Sequence, residues 1–157
     1  MHSYRWGNYS QPVQAGADNA GWYEFLGLQS TGHGPQLPIA VAFADREHPI
    51  TRGLGDWTTV KEELYNNVSL LGAHALAKGR QVVPQKDGTG KTVETVVVWT
   101  NLYGPKQTRV FSTTLGHNNE TVADARYLDL VARGVLWSAG KLTDDGKPAA
   151  GYGPRAK

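Results

Sequence analysis

The sequence contains no cysteine, and this absence excludes disulfides, thiolate metal sites and thiol nucleophiles together. It also lacks any run approaching about eighteen apolar residues, the length that crosses a membrane. Charge is scarce as well, because charged residues make up 19% of the chain and the formal net charge is only +2. Lys and Arg are scattered along the chain rather than clustered. Neither a nucleic acid nor a membrane is therefore expected as a partner.

Nucleotide-binding motifs are absent too. Gly90-Lys91-Thr92 resembles the end of a phosphate-binding P-loop, but Gln85 stands where the first glycine should be and a strand is predicted to follow. No Gly-x-Gly-x-x-Gly fingerprint precedes a predicted helix. A Rossmann nucleotide site therefore has no support.

What the chain does contain is glycine and tryptophan, with 19 Gly and 5 Trp in 157 residues. Both numbers exceed ordinary usage and indicate a loop-rich globular protein. The length predicts one domain. We place that domain at residues 1–140 and predict that 141–157, which are polar with Gly and Pro, form a loosely ordered tail.

The strongest structural signal lies in residues 92–118. Residues 93–100 are dense in β-branched side chains and residues 108–115 alternate, so both segments predict strands. Gly104 and Pro105 supply the turn of a hairpin between them. The second strand leads to His117, and the carboxyl ends of strands are where open α/β sheets bind ligands.

Other segments predict shorter elements. A helix over 20–28 would take Asp18 or Asn19 as its N-cap. Residues 38–43 predict a short buried strand, whereas periodicity does not decide between strand and helix for 70–77.

A second helix is predicted after residues 121–124, which match the capping-box pattern, and Gly140 is its expected end. Gly134 lies inside this helix and predicts close packing against a neighbour. The apolar positions follow one another at helical spacing and predict a single buried stripe. They are Leu128, Val131, Ala132, Val135, Leu136 and Ala139.

None of the five histidines has the helical spacing of a metal-binding motif. His2, His33 and His117 lie in predicted loops flanked by Gly or Ser, where an imidazole can act as base, acid or ligand. Loop hydrogen bonding is the competing interpretation for each. His48 is interpreted as a loop anchor and His74 as a packing residue.

Glu62 and Glu63 present a similar choice. Neighbouring side chains on a strand point to opposite faces, so at most one is expected to face a given site. We predict that Glu63 is the inward one, with a solvated turn as the alternative. Arg109 begins the second hairpin strand and is a candidate for pairing with a substrate oxygen, although an exposed strand-end arginine is the commoner case.

Several segments, in order and spacing, resemble the ThuA-like family, which is named for trehalose utilisation. The resemblance covers nearly the whole chain up to Gly140. The matching segments are HSYR at 2–5, WYEFLG at 22–27 with His33, HPITRGL at 48–54, EELY at 62–65, VWT at 98–100 with YG at 103–104, RVFSTTLGH at 109–117 and RGVLWSAG at 133–140.

The resemblance implies an α/β, flavodoxin-like sandwich related to class I glutamine amidotransferases, ending in the predicted hairpin and helix. In that superfamily a cysteine sits at a strand-to-helix elbow and a histidine ends a later strand. His117 matches this histidine and His2 falls near the elbow, where the chain offers no cysteine, so amidotransferase chemistry is excluded. Family members carry several elements before His2. We therefore expect an N-terminally truncated version, which is a fragment, has a mis-called start, or completes its sheet by pairing with another chain, for example as a homo-oligomer.

The family also implies a small-molecule sugar as partner, either trehalose or a related keto-disaccharide. A histidine pair with a carboxylate suits isomerisation next to a carbonyl, in which one group removes a proton and another stabilises the oxyanion. The catalytic candidates are His117, His2 and Glu63, and the substrate-binding candidates are His33, Tyr4, Trp22 and Arg109. A divalent metal is a possible cofactor in the second role, with His2, His33 and His117 as candidate ligands.

Two other functions stay open at this point. A non-catalytic carbohydrate-binding or interaction module would use Tyr4, Trp6, Trp22 and Trp57 as stacking platforms. An inactive fragment is the other. The enzyme hypothesis predicts that the histidine and carboxylate candidates converge on one pocket.

Overall fold

The computed structural model describes residues 12–18 and 20–154. His2, Tyr4 and Trp6 lie outside these residues, so their predicted roles stay predictions. In chain order the elements are α1 (Gly21–Leu26), β1 (Leu28–Gln29), β2 (His33–Leu37), β3 (Ala40–Phe43), β4 (Trp57–Thr58), β5 (Glu62–Tyr65), β6 (Ser69–Leu70), β7 (His74–Pro84), β8 (Gly90–Tyr103), β9 (Thr108–Thr113), α2 (Asn119–Val122) and α3 (Ala125–Ser138).

The strands in the described part of the chain form one five-stranded sheet and two small ribbons. The sheet has the order β4-β3-β7-β8-β9, and each neighbouring pair is antiparallel. One ribbon pairs β1 with β6, and the other pairs β2 with β5. The predicted α/β mixture of strands and helices is thus present, and residues 74–77, left open between strand and helix, begin β7.

The predicted hairpin is confirmed as β8 and β9, which pair from Val98 opposite Thr113 to Tyr103 opposite Thr108. Its turn contains Gly104, with a φ of 68°. Because β9 is the last strand of the sheet, the segment that follows it leaves the sheet edge directly towards His117.

Helix α3 packs against the sheet through a face that differs from the predicted stripe. Leu130, Gly134 and Trp137 are its buried residues, whereas Leu128 and Val135 are 51% and 61% exposed. The stripe prediction was therefore wrong in register. The physical reason is that the helix approaches β9 most closely at Gly134, so the buried face is centred on a residue without a side chain.

The prediction that Gly134 packs closely is confirmed. A Cβ atom at this position would lie 2.3 Å from Cδ1 of Phe111 on β9. The helix backbone and the aromatic ring thus touch directly.

The helix starts also differ from the predictions. The N-cap of α3 is Asp124, whose carboxylate accepts the Arg126 N–H at 2.8 Å. Thr121, expected to open this helix, belongs to the short α2 instead, because an extended Asp124 separates the two helices. The N-cap of α1 is Ala20 without a side-chain cap bond, so Asp18 does not cap it and Asn19 lies outside the described residues.

The hydrophobic core lies between the sheet and α3, where side chains such as Ile39, Val97 and Leu130 are almost completely buried. Leu142 joins this core at 8% exposure and forms an isolated bridge with Pro148. Part of the predicted tail is therefore packed against the domain, while the division at residue 140 stays a prediction. None of the helices in the described part of the chain is long and apolar enough to cross a membrane.

Candidate active site

The β2–β5 ribbon places three polar side chains around Glu63. His33 lies in β2 rather than in the predicted loop, and it pairs with Tyr65, while Gln36 pairs with Glu63. Tyr65 follows Glu63 by two residues on β5 and so lies on the same face of the strand. Its hydroxyl donates to Glu63 Oε2 at 3.1 Å, and the Gln36 amide donates to Oε1 at 3.2 Å.

His117 reaches the same carboxylate from the end of β9. Its Nδ1 lies 3.4 Å from Glu63 Oε2, and its Nε2 lies 2.9 Å from Nε2 of Gln36. Because the Gln36 nitrogen only donates, His117 Nε2 must accept, which leaves the ring proton on Nδ1 facing the carboxylate. The neutral ring is thereby held in one tautomer.

His33 completes the group. Its Nδ1 lies 2.8 Å from the Gly34 carbonyl, so that nitrogen carries a proton, and its Nε2 lies 3.6 Å from Glu63 Oε2. The contact becomes attractive when Nε2 is protonated as well, because a carboxylate only accepts. One carboxylate oxygen thus faces two imidazoles and a phenol.

The neighbouring side chains favour the ionised form of Glu63. Burial alone would raise the pKa of its carboxyl, but the hydrogen bonds from Gln36 and Tyr65, with His33 and His117 nearby, lower that pKa below its ordinary value. Glu63 is 5% exposed. It is therefore a buried carboxylate that stays ionised at neutral pH.

Glu62 holds the backbone of the same histidine. It is completely buried, and its two carboxylate oxygens accept the N–H groups of His117 and Asn118, each at 3.1 Å. The Asn118 amide in turn donates to the Lys61 carbonyl. Both members of the glutamate pair therefore act on His117, Glu62 through its backbone and Glu63 through its ring. The solvated-turn alternative is wrong for both.

Gly116 brings the chain into this position. Its φ is 104°, which an L side chain rarely adopts. A Cβ here would also lie 2.4 Å from the hydroxyl of Tyr127, which donates to the Leu115 carbonyl at 3.3 Å. A glycine before His117 is thus required both by conformation and by space.

A cavity of about 480 Å³ opens beside His117 and follows β9. Trp22, Trp99 and Phe111 supply aromatic surface, while hydroxyl-bearing residues 112–114 supply polar groups. Trp22, predicted to bind substrate, therefore lines the same cavity as His117 and Tyr65.

Two other candidates lie elsewhere. Arg109 donates to the Trp137 carbonyl at 3.1 Å and stacks on the Trp137 ring at 5.1 Å, and the structure does not bring it to Glu63. Trp57 is 6% exposed and is covered by Arg126, 5.0 Å from the ring, which leaves little surface for a stacking platform.

The described residues contain no group of three or more His, Cys, Asp or Glu side chains arranged to hold a metal ion. His33 and His117 both face Glu63, but His2, the other candidate ligand, lies outside these residues. The metal stays a prediction.

Glu62 and Gln36 are the site residues that the sequence reasoning missed. The EELY segment drew attention to the glutamate pair, but nothing in the order of residues indicates that both faces of β5 are covered. Gln36 gave no signal, because glutamine in a segment between Gly and Pro is typical of loops.

Comparisons with known proteins place the chain in a family. The family model described as "ThuA: Trehalose utilisation" matches residues 12–138. No curated protein matches the chain.

Two solved structures are similar. A thua-like protein from Parabacteroides merdae ATCC 43184 is 29% identical with a TM-score of 0.53, and the match covers 71% of this chain and 42% of that one. A thua-like protein from Bacteroides uniformis ATCC 8492 is 19% identical with a TM-score of 0.58, covering 83% of this chain and 55% of that one. The chain thus spans about half the length of these relatives, and its predicted fold class is confirmed. The chain therefore belongs to the ThuA family, whose role at family level is related to trehalose utilisation.

Proposed function

We propose that this site moves a proton at a carbon next to the carbonyl group of a keto-sugar, the acid/base step of an isomerisation. The observation that carries the proposal is the contact of His117 Nδ1 with the buried Glu63 carboxylate at 3.4 Å, at the edge of a cavity. A histidine oriented by a carboxylate is an arrangement that proteins use for general base catalysis.

His117 is the base in this proposal. Its Nε2 carries a lone pair that accepts a hydrogen bond from the Gln36 amide at 2.9 Å. A bound substrate would displace this amide and meet the lone pair. When Nε2 takes the proton from carbon, the ring becomes an imidazolium, and Glu63 stabilises it through Nδ1–H. The lowered pKa of Glu63 makes its carboxylate a weak base but a permanent partner for that charge.

The developing oxyanion needs a donor on the same side of the cavity. The Tyr65 hydroxyl lies 3.1 Å from Glu63 Oε2, and because Tyr65 lines the cavity this hydroxyl would turn to a substrate oxygen. The proton held on His117 then goes to the former carbonyl carbon, while the proton of the neighbouring sugar hydroxyl passes to the oxyanion and leaves a new carbonyl, so the step needs no further reactant.

The cavity suits a sugar as the substrate. The partly exposed rings of Trp22 and Phe111 offer apolar surface, and Ser112 offers a hydroxyl group for hydrogen bonding. A disaccharide oxidised at one hydroxyl, as the family's link to trehalose suggests, carries both an apolar ring face and an acidic carbon–hydrogen bond.

The test is hydrogen exchange into a keto-disaccharide in D₂O, followed by NMR. We expect His117→Gln to slow the exchange by about 10²–10⁴-fold, the usual contribution of a general base. Lys86→Gln, a change to the same residue type in the exposed turn between β7 and β8, is the control and should leave the rate unchanged. Exchange at the parental rate in His117→Gln would refute the proposal. Sugar binding without any exchange would instead favour the binding-module alternative.

A further inference from the structure

A second cluster of polar side chains lies where β3 ends beside the start of β7. Asp45 follows β3 and His74 begins β7, and His74 Nε2 lies 2.8 Å from Asp45 Oδ2. Asp45 Oδ1 accepts the N–H groups of Glu47 and His48 at 2.9 and 3.0 Å, which fixes the carboxylate. This is an Asp–His pair built independently of Glu63.

The imidazole rings of His74 and His48 have complementary hydrogen-bond roles. Because Asp45 accepts, His74 Nε2 carries a proton and its Nδ1 offers a lone pair when the ring is neutral. His48 Nδ1 accepts the Ile50 N–H at 3.2 Å, so its ring proton is on Nε2. The rings are 6.0 Å apart, and together they offer one donor and one acceptor.

Both histidines line a cavity of about 610 Å³, whose lining shares no residue with the first one. The partly exposed Tyr103 provides its aromatic surface, and the buried Trp137, 5.3 Å from the His48 ring, forms part of its wall. Glu24 also lines this cavity. The combination is a pocket with one exposed aromatic ring and a few directed polar groups.

The charges of this pocket favour an uncharged ligand. Burial lowers the pKa of His48, with the neighbouring Asp45 opposing and His74 and Arg109 adding to the shift, so this ring is neutral at pH 7. The guanidinium of Arg109 is already engaged with Trp137. An anion would meet the Glu24 carboxylate and a lone pair, whereas a hydroxyl group can donate to one ring and accept from the other.

We propose that this cleft between the two histidines, Trp137 and Tyr103 is a second binding site, for a neutral polyhydroxylated ligand such as a saccharide. It stands apart from the first site, and it requires nothing of His117 or Glu63. A chain with two saccharide sites would hold one sugar while the other site acts.

The test uses trehalose and glucose as neutral probes and inorganic phosphate as an anionic probe, each titrated into ¹⁵N-labelled protein. The indole signal of Trp137, assigned with Trp137→Phe, reports on this cleft. We expect a saturable shift with at least one of the two sugars. His74→Ala and Tyr103→Ala should each weaken that binding by about tenfold or more, roughly the effect of 1.4 kcal/mol. Near-ultraviolet circular dichroism checks that both variants fold.

His117→Gln is the matched control, because it removes a histidine from the first site and should leave the Trp137 shift intact. The proposal is overturned if neither sugar shifts the Trp137 signal, if phosphate alone does, or if His117→Gln abolishes the shift.

Discussion

Glu62→Gln gives the sharpest test of how the site is held. The buried carboxylate accepts two backbone N–H groups, from His117 and Asn118, each at 3.1 Å. Glutamine keeps one carbonyl oxygen, so one bond survives as a neutral bond. The other N–H then faces an amide NH₂, which cannot accept.

The magnitude follows from these two changes. Replacing a charged acceptor by a neutral one loses about 1 kcal/mol, and leaving a buried N–H without an acceptor costs about 1–3 kcal/mol more. Relief from burying a charge offsets part of this loss. We therefore expect Glu62→Gln to lower the free energy of unfolding by about 2 kcal/mol.

Urea unfolding followed by tryptophan fluorescence measures the change, and hydrogen exchange at the His117 amide locates it. Glu63→Gln is the matched control. Its hydrogen-bond partners are side chains of Gln36 and Tyr65, which can turn, so the His117 amide should stay protected. A Glu62→Gln variant within about 0.5 kcal/mol of the parent, the range of ordinary surface changes, with full protection at His117, would refute this account.

Three further predictions concern stability. The folded-state pKa of Glu63 lies below its ordinary value. Its contribution to the free energy of unfolding is therefore full above the ordinary pKa of about 4.3 and is lost as the pH falls through the folded-state pKa. Glu63→Gln should flatten this pH dependence in a urea-unfolding series from pH 7 to 3. Gly134→Ala should lower the melting temperature, because overpacking against Phe111 costs about 1–3 kcal/mol and exceeds the helix-propensity gain of about 1 kcal/mol. Asp124→Ala should cost about 1 kcal/mol in urea unfolding as a lost N-cap, whereas Asp124→Asn keeps an acceptor and should cost less. Hydrogen bonding to Arg126 lowers the pKa of Asp124 to about 2. The difference in unfolding free energy between the parent and Asp124→Asn should therefore shrink as the pH falls from about 4 towards 2. A difference that does not change with pH would contradict this prediction.

Local signals in the sequence were sufficient for the hairpin and for the position of His117. The β-branched run of β8, the turn at Gly104 and the alternation of β9 all act over short distances, so propensity and pattern reveal them. The short strands around His33 and Glu62 lack such signals, because residues distant in sequence set their pairing.

The stripe of α3 shows why periodicity alone misplaced a face. Leu128 and Val135 have helical spacing, but so do Leu130, Gly134 and Trp137. A glycine adds nothing to an apolar count, although here it marks the closest contact with Phe111. Close packing at Gly134, rather than the number of apolar side chains, therefore determines which face of α3 is buried.

The tautomer of His117 is a property that no pattern reveals. It depends on Gln36, which lies 81 residues away along the chain. The EELY segment indicated Glu63, which lies beside the His117 ring, but the contact of its neighbour Glu62 with the His117 backbone became visible only when both faces of β5 were found covered.

The β2–β5 ribbon has a consequence for the fidelity of folding. Consecutive side chains of a strand alternate between faces, so a slip of β5 by one residue would exchange the directions of Glu62 and Glu63. The histidine would then lose its backbone anchor and its ring partner in one event. The register of β2 and β5 shifts between His33 and Gln36, and such an irregularity helps to fix which residues of the two strands pair. Correct alignment of two short strands is thus the condition under which His117 is assembled at all.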